Sequence, residues 1–199
     1  FPKISFGNGV GGDRDGHPLV TAEITEFTLK KLRVSAFSLL KDRLNKLSEK
    51  LSFYFQYENA PEKLQERIKN ITRELGECTF DIIDRYNKEV FRQFVHLLIA
   101  KMPIESSIEK GISLHERRGS YIHSYQLIDD LQLLSDSLEE IQANNVARND
   151  LKDAIRLVQT FGFHLAQLDI RQNSSYYEKA LSQLIKTAEI GEYDYENWD

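Results

Sequence analysis

Phe37-Ser38-Leu39-Leu40-Lys41-Asp42-Arg43-Leu44-Asn45-Lys46-Leu47-Ser48-Glu49-Lys50-Leu51 sets apolar side chains at 37, 40, 44, 47 and 51, three and four apart. A period of 3.6 residues puts those five on one face, with Lys and Glu on the other, so the stretch reads as an amphipathic helix. It is expected to run from Ala22 to about Tyr54. The spacing returns at Leu64, Ile68, Ile71, Leu75, Cys78 and Ile82, after a turn at Asn59-Ala60-Pro61 whose proline suits a first helical turn. The second helix is expected to continue through Phe91, Phe94 and Leu98 until Pro103 stops it. Two such helices joined by a short turn predict an antiparallel hairpin over 22–101. A loop holding Pro103, Gly111 and Gly119 is expected over 102–120. Helices are then expected over 121–161. Ile128, Leu131, Leu134, Leu138 and Ile141 mark the first, from about Tyr121 to Gln142. Leu151, Ala154, Ile155 and Val158 mark a shorter one, capped by Asn149 or Asp150 and stopped at Gly162. A short buried strand over 165–171 and a helix over 175–188, opened by the capping box Ser175 to Glu178, complete the chain. The fold class is mainly α, with long amphipathic helices and a few short strands, and without internal repeats.

The bulk properties narrow the function. A chain of 199 residues can bury a substantial core without staples. Its net charge of -5, with no clustered Lys and Arg, speaks against a nucleic-acid surface. No apolar run reaches the eighteen or so residues of a membrane span. The single cysteine, Cys78, allows no internal disulfide and fits a reducing cytoplasm. The N-x-S/T triplets at Asn70 and Asn173 are short patterns that chance supplies. Phe1-Pro2-Lys3-Ile4 opens without methionine, and the Tyr193–Asp199 tail is acidic and aromatic; both ends are expected to be boundaries within a longer chain. Gly7, Gly9 and Gly12 spell G-x-G-x-x-G, but they lead into Asp13-Arg14-Asp15 and not directly into a helix, so a dinucleotide site is not expected. His115-Glu116 lacks the second histidine of a zinc helix, because position 119 is glycine. His96 and His164 read as packing or surface residues, and no metal-ligand cluster is legible.

Two motifs carry the chemistry. Gly11-Gly12-Asp13-Arg14-Asp15-Gly16-His17-Pro18 follows the extended Ile4-Ser5-Phe6, so residues 1–20 read as a strand and a glycine-rich loop. Paired glycines permit positive φ and close backbone approach. Three charges on one tight turn can satisfy backbone N–H groups and each other. Two readings stand: a structural turn closing the strand onto the helix that begins near Ala22, or a site loop presenting Arg14 or Asp15. Leu168-Asp169-Ile170-Arg171-Gln172 ends the later strand just before a helix. Such a junction gathers free N–H groups and the positive end of a helix dipole. An arginine there adds a fork for phosphate or carboxylate. The alternative is that Arg171 pairs with Asp169 or another acid and ties the strand down. Gln172 could orient the arginine.

Together these motifs resemble phosphoenolpyruvate carboxylase, whose chains carry F-x-S-W-x-G-G-D-R-D-G-N-P and, later, L-D-I-R-Q-E-S. The likeness is strong over Phe6–Thr25 and Leu157–Leu181 and generic helix between. Gly9 stands where the family usually has tryptophan, His17 where it has asparagine, and Asn173 where it has glutamate. The resemblance implies an internal piece, 1–199, of a larger chain, contributing strands and outer helices to a helix-rich (β/α)8-type barrel. It implies carboxylation of phosphoenolpyruvate with bicarbonate to oxaloacetate and phosphate, an anaplerotic step feeding the tricarboxylic acid cycle. Arg171 matches the family arginine that lines the active site and binds substrate phosphate. Gln172, Arg14 and Asp15 are expected close by as substrate-binding residues. The parent is expected to use Mg²⁺ or Mn²⁺ with ligands outside this chain, to form a homotetramer, and to act in the cytoplasm. The family's catalytic T-A-H-P-T histidine and its mobile glycine- and arginine-rich loop have no match here, so this chain alone is expected to be inert. The competing expectation is a helical protein-interaction module whose amphipathic hairpin presents an apolar face to a partner.

Overall fold

A computed structural model describes residues 4–15, 19–107 and 111–189. Gly16, His17 and Pro18, with the Tyr193–Asp199 tail, lie outside the described residues. The protein is mainly helical, and its residues gather into two compact units. Lys30–Leu165, with residues 4–5, make the larger; Phe6–Leu29 and the described residues from Ala166 onward make the smaller. Helix α1 (Ala22–Lys50) contributes to both.

In the larger unit, α1 is followed by α2 (Glu62–Leu75), α3 (Phe80–Arg85), α4 (Val90–Ala100), the strands β2 (Ile104–Ser107) and β3 (Gly111–Leu114), α5 (Ser124–Glu140) and α6 (Arg148–Phe161). The expected stripes are its core. Phe37, Leu40, Leu44, Leu47 and Leu51 pack with Leu64, Ile68, Ile71 and Leu75, and with Leu131, Leu134 and Leu138 of α5. Each apolar side chain so buried contributes roughly 1.5–3 kcal/mol. The apolar face that an interaction module would offer to a partner is therefore occupied by the unit's own helices.

A charged cluster ties three of these elements. Asp130 of α5 accepts a two-pronged bond from Arg67 of α2, at 2.6 Å from Nε and 3.0 Å from Nη2. The buried Tyr121 hydroxyl donates to the same carboxylate at 2.6 Å. Burial first, then the Asp130 charge, raises the Tyr121 pKa well above its usual value, so the phenol stays protonated and remains a donor. Lys101, just past α4, pairs with Glu74 of α2.

Several expected boundaries move. Helix α1 stops at Lys50 instead of Tyr54, because Phe53 and Phe55 turn to pack on Phe91, and Phe55 forms a bridge with Glu89. The second helix breaks where one unbroken run was expected: Gly76, at φ 63°, closes α2, and a tight 3-10 turn over Gly76–Thr79 follows. That turn shifts the register, so Cys78 is exposed and Thr79 is buried in its place. The expected loop over 102–120 contains the antiparallel pair β2–β3, because Ile104, buried after the helix-stopping Pro103, pairs with Leu114. Helix α6 begins at Arg148 with Ala147 at the cap, ahead of the expected Asn149 or Asp150.

The smaller unit holds β1 (Gly7–Asn8), the start of α1, β4 (Gln167–Leu168) and α7 (Ser174–Thr187). Strands β1 and β4 pair in parallel, Gly7 opposite Gln167 and Asn8 opposite Leu168. The later strand is shorter than the expected 165–171 because Leu165 sits at φ 65°, which a strand cannot contain. Helix α7 begins one residue before the expected Ser175, since Asn173 is its cap. Every buried apolar side chain among the described residues lies between Ala36 and Phe163, in the larger unit.

Candidate functional site

The smaller unit brings both motifs onto one ladder. Past the paired strands, the chain turns over Gly9–Asp13, with the Gly12 and Asp13 N–H groups both donating to the Gly9 carbonyl. It then rejoins the partner strand at a bridge between Asp13 and Arg171. The Arg171 N–H donates to the Gly12 carbonyl at 3.1 Å, and the Arg14 N–H donates to the Arg171 carbonyl at 2.9 Å. Both motifs thus stand at the C-terminal ends of two neighbouring parallel strands.

The paired glycines are required by this approach. A Cβ on Gly12 would lie 2.4 Å from the Asp169 carbonyl oxygen. Gly11, at φ 82°, would place one 2.1 Å from Thr28 Oγ1 of α1. Neither position has room for a side chain, and Gly11 is also in the left-handed region. The close approach that the paired glycines permit is therefore to the partner strand and the first turns of α1.

The candidate residues differ in what they touch. The Arg171 side chain is exposed and forms no hydrogen bond or ion pair among the described residues, so the pairing with Asp169 is not made. Arg14 is half-buried, and its Nη2 donates to Thr25 Oγ1 at 2.9 Å. Asp13 turns its carboxylate back to accept the Asp15 N–H at 3.2 Å, leaving the Asp15 side chain exposed. Residues opposite one another in a parallel pair leave the sheet on the same face. Asp13, and not Arg14, therefore shares the face of Arg171. The structure ties Arg14 to the helix beside the ladder, a role that the sequence motif does not reveal.

The helix start after the ladder is also filled. Gln172 Oε1 accepts the Asn173 N–H at 3.1 Å, and Asn173 Oδ1 accepts the Ser175 N–H at 3.0 Å. The Tyr176 N–H donates to the Asn173 carbonyl. Three of the amides expected to be free at this junction, those of Asn173, Ser175 and Tyr176, are taken, and Gln172 serves the backbone instead of the arginine. An anion arriving here would meet the guanidinium of Arg171, a charge with five donors and, among the described residues, no acid paired with it.

Thr25 is the residue that sequence reading missed. It is 8% exposed, accepts from Arg14 and donates to the Gly11 carbonyl at 2.8 Å. A threonine in the first turn of an amphipathic helix carries no signal of such a contact. Its partners come from ten or more residues away and meet it only in the folded chain.

No helix among the described residues is long and apolar enough to cross a membrane. Among the described residues, no three His, Cys, Asp or Glu side chains gather as donors for a cation.

A family profile described as phosphoenolpyruvate carboxylase matches residues 1–199. The chain is similar to the phosphoenolpyruvate carboxylase of Methylorubrum extorquens, 29% identical over 185 residues, covering 93% of this chain and 20% of that protein. The Rhodopseudomonas palustris protein of the same description is 31% identical over 188 residues, 93% of this chain and 19% of that one. That of Pseudomonas aeruginosa is 30% identical over 196 residues, 98% of this chain and 20% of that one. The chain spans about a fifth of the length of the curated relatives it matches.

Proposed function

Because the chain belongs to the phosphoenolpyruvate carboxylase family, we propose that it is one segment of an enzyme that joins bicarbonate to phosphoenolpyruvate. The products are oxaloacetate and phosphate. The parallel pair β1–β4 is read as two adjacent strands of a (β/α)8-type barrel. Barrel enzymes carry their chemistry at the C-terminal strand ends, where Asp13–Asp15 and Arg171–Gln172 stand.

One observation carries the reading. Arg171 is held by the backbone at both its N–H and its C=O, while its guanidinium is exposed and has no acid paired with it among the described residues. A fixed base with an unclaimed fork suits a phosphate, whose oxygens accept two parallel N–H bonds. The phosphate's negative charge is present from binding through transfer, so a cation fixed beforehand holds it throughout without reorganising. Asp15 stands at the same edge with an exposed carboxylate. Gln172 contributes by setting the start of α7 and hence where the strand ends.

The divalent cation of the parent, Mg²⁺ or Mn²⁺, finds no donor set among the described residues of this segment. Its ligands are assigned to the rest of the parent chain, and no step here runs through it. The segment alone is expected to be inert. The expected assembly is a cytoplasmic homotetramer, on family resemblance alone.

The test is oxaloacetate formation from phosphoenolpyruvate and bicarbonate by the full-length parent and its Arg171→Ala variant. Losing one preorganised donor of this kind costs about 10²–10³-fold in rate. An Arg171→Ala enzyme that folds and keeps full activity would remove the arginine from the reaction.

A further inference from the structure

Resting on that reading of Arg171, we propose that Thr25 is a positioning residue for Arg171, and that Arg14 transmits its effect without touching the substrate. The connection is a continuous set of hydrogen bonds. Thr25, buried in the first turn of α1, accepts from Arg14 Nη2 at 2.9 Å and donates its one hydroxyl proton to the Gly11 carbonyl at 2.8 Å. A second carbonyl, that of Thr21, lies farther away at 3.2 Å. Those two bonds pin both ends of the Gly11–Arg14 segment to the helix.

That segment in turn grips Arg171 from both sides. The Gly12 carbonyl takes its N–H at 3.1 Å, and the Arg14 N–H is given to its carbonyl at 2.9 Å. The backbone of Arg171 thus has neither polar group free to move, and only side-chain torsions remain to be ordered when an anion binds. Preorganisation of this kind lowers the cost of binding. A fixed origin also matters because a shift of about 1 Å in a positioning group can cost about 10²-fold.

The same geometry separates the two arginines. Asp13 stands opposite Arg171 in the bridge and shares its face, whereas the Arg14 guanidinium is turned onto α1. Arg14 is therefore assigned to holding the ladder, and Arg171 to holding the anion.

The experiment is steady-state kinetics of the full-length parent, varying phosphoenolpyruvate at saturating bicarbonate, with Arg171→Ala measured alongside. Thr25→Val keeps the side-chain shape and removes both bonds. It is expected to raise KM for phosphoenolpyruvate about ten-fold with kcat within about two-fold, the pattern of lost ground-state binding. Thr25→Ser restores the hydroxyl and should return KM to within about two-fold of the wild-type value. A purely structural role would instead lower the active fraction, and with it kcat, leaving KM unmoved. Arg14→Met breaks one of those two bonds, so it should raise KM by no more than Thr25→Val does, and the double variant should match Thr25→Val alone. If Thr25→Val does not fold, Arg14→Met with Thr25→Ser carries the same comparison. An unchanged KM in Thr25→Val, or a fall in kcat alone, overturns the positioning role. An Arg14→Met loss far beyond that of Thr25→Val returns Arg14 to the substrate and overturns the assignment. An Arg171→Ala enzyme with wild-type kinetics would sink the reading of Arg171 itself, so the two failures are told apart.

Discussion

His96 of α4 lies flat on the Tyr86 ring, centroids 4.4 Å apart and planes 3° from parallel. Its Nε2 is buried and has no hydrogen-bond partner among the described residues. Burial foremost, then the charges of Arg92 and Arg85, pushes its pKa down from 6.5 to about 4. The sign follows from which state takes the proton. Above about pH 6.5 the ring is neutral folded or unfolded, and its contribution to stability is complete. As the pH falls toward 4, the unfolded chain binds a proton that the folded chain refuses, so stability declines and then levels. An NMR titration of the His96 ring should give a midpoint near 4, and Arg92→Gln should raise it. A midpoint at the ordinary histidine value would contradict the burial. This histidine illustrates what a residue's neighbours add: in the sequence it is one more position on a helix, and its titration depends on a tyrosine and two arginines brought to it by folding.

Among the elements, those set by periodicity were legible and those set by backbone exceptions were not. The stripe from Phe37 to Leu51 is buried as its spacing implies, because a helix averages many weak preferences over several turns. In α5, Leu131, Leu134 and Leu138 are buried, but Leu127 takes the place of Ile128, which with Ile141 is only half-buried. The break at Gly76 was legible only as one glycine inside a good apolar pattern, and the pattern outweighed it. Strand β4 was placed too early because Leu165 adopts a positive φ that nothing in its side chain encourages. The candidate site divides in the same way. Both motifs were visible, but their pairing on one ladder and the anchoring of Arg14 are long-range facts, whereas the cap at Asn173 is a local contact two residues away, which the capping box at Ser175 outweighed. The ladder carries its own prediction. Gly12→Ala would drive a methyl into the Asp169 carbonyl, 2.4 Å away, and part the strands where Arg171 is held. Overpacking of this kind costs about 1–3 kcal/mol. Hydrogen exchange should show the Arg171 amide losing its protection while amides of α5 keep theirs; unchanged protection at Arg171 would refute the close approach.

At the scale of the whole chain, the two units are unequal. The larger contains all the buried apolar side chains described, whereas the smaller exposes Val10, Leu19, Ile170, Tyr176 and Leu184. A two-stranded parallel pair without a covered face is marginal in water. Residues 30–165 produced alone should therefore fold cooperatively, with a helical circular-dichroism spectrum and one thermal transition. A chain of 30–165 that melts without a transition would show that the helices depend on the strands. The parallel pairing of β1 with β4 has a further consequence, for synthesis. The ribosome releases β1 before its partner, and at 5–20 residues per second the interval between them is roughly ten seconds or more. During that wait the helices between can complete their own core, while the glycine turn has nothing to close against. The nascent chain therefore carries β1 unmatched for the whole of that interval, and the ladder that holds Arg171 is assembled only once β4 has emerged.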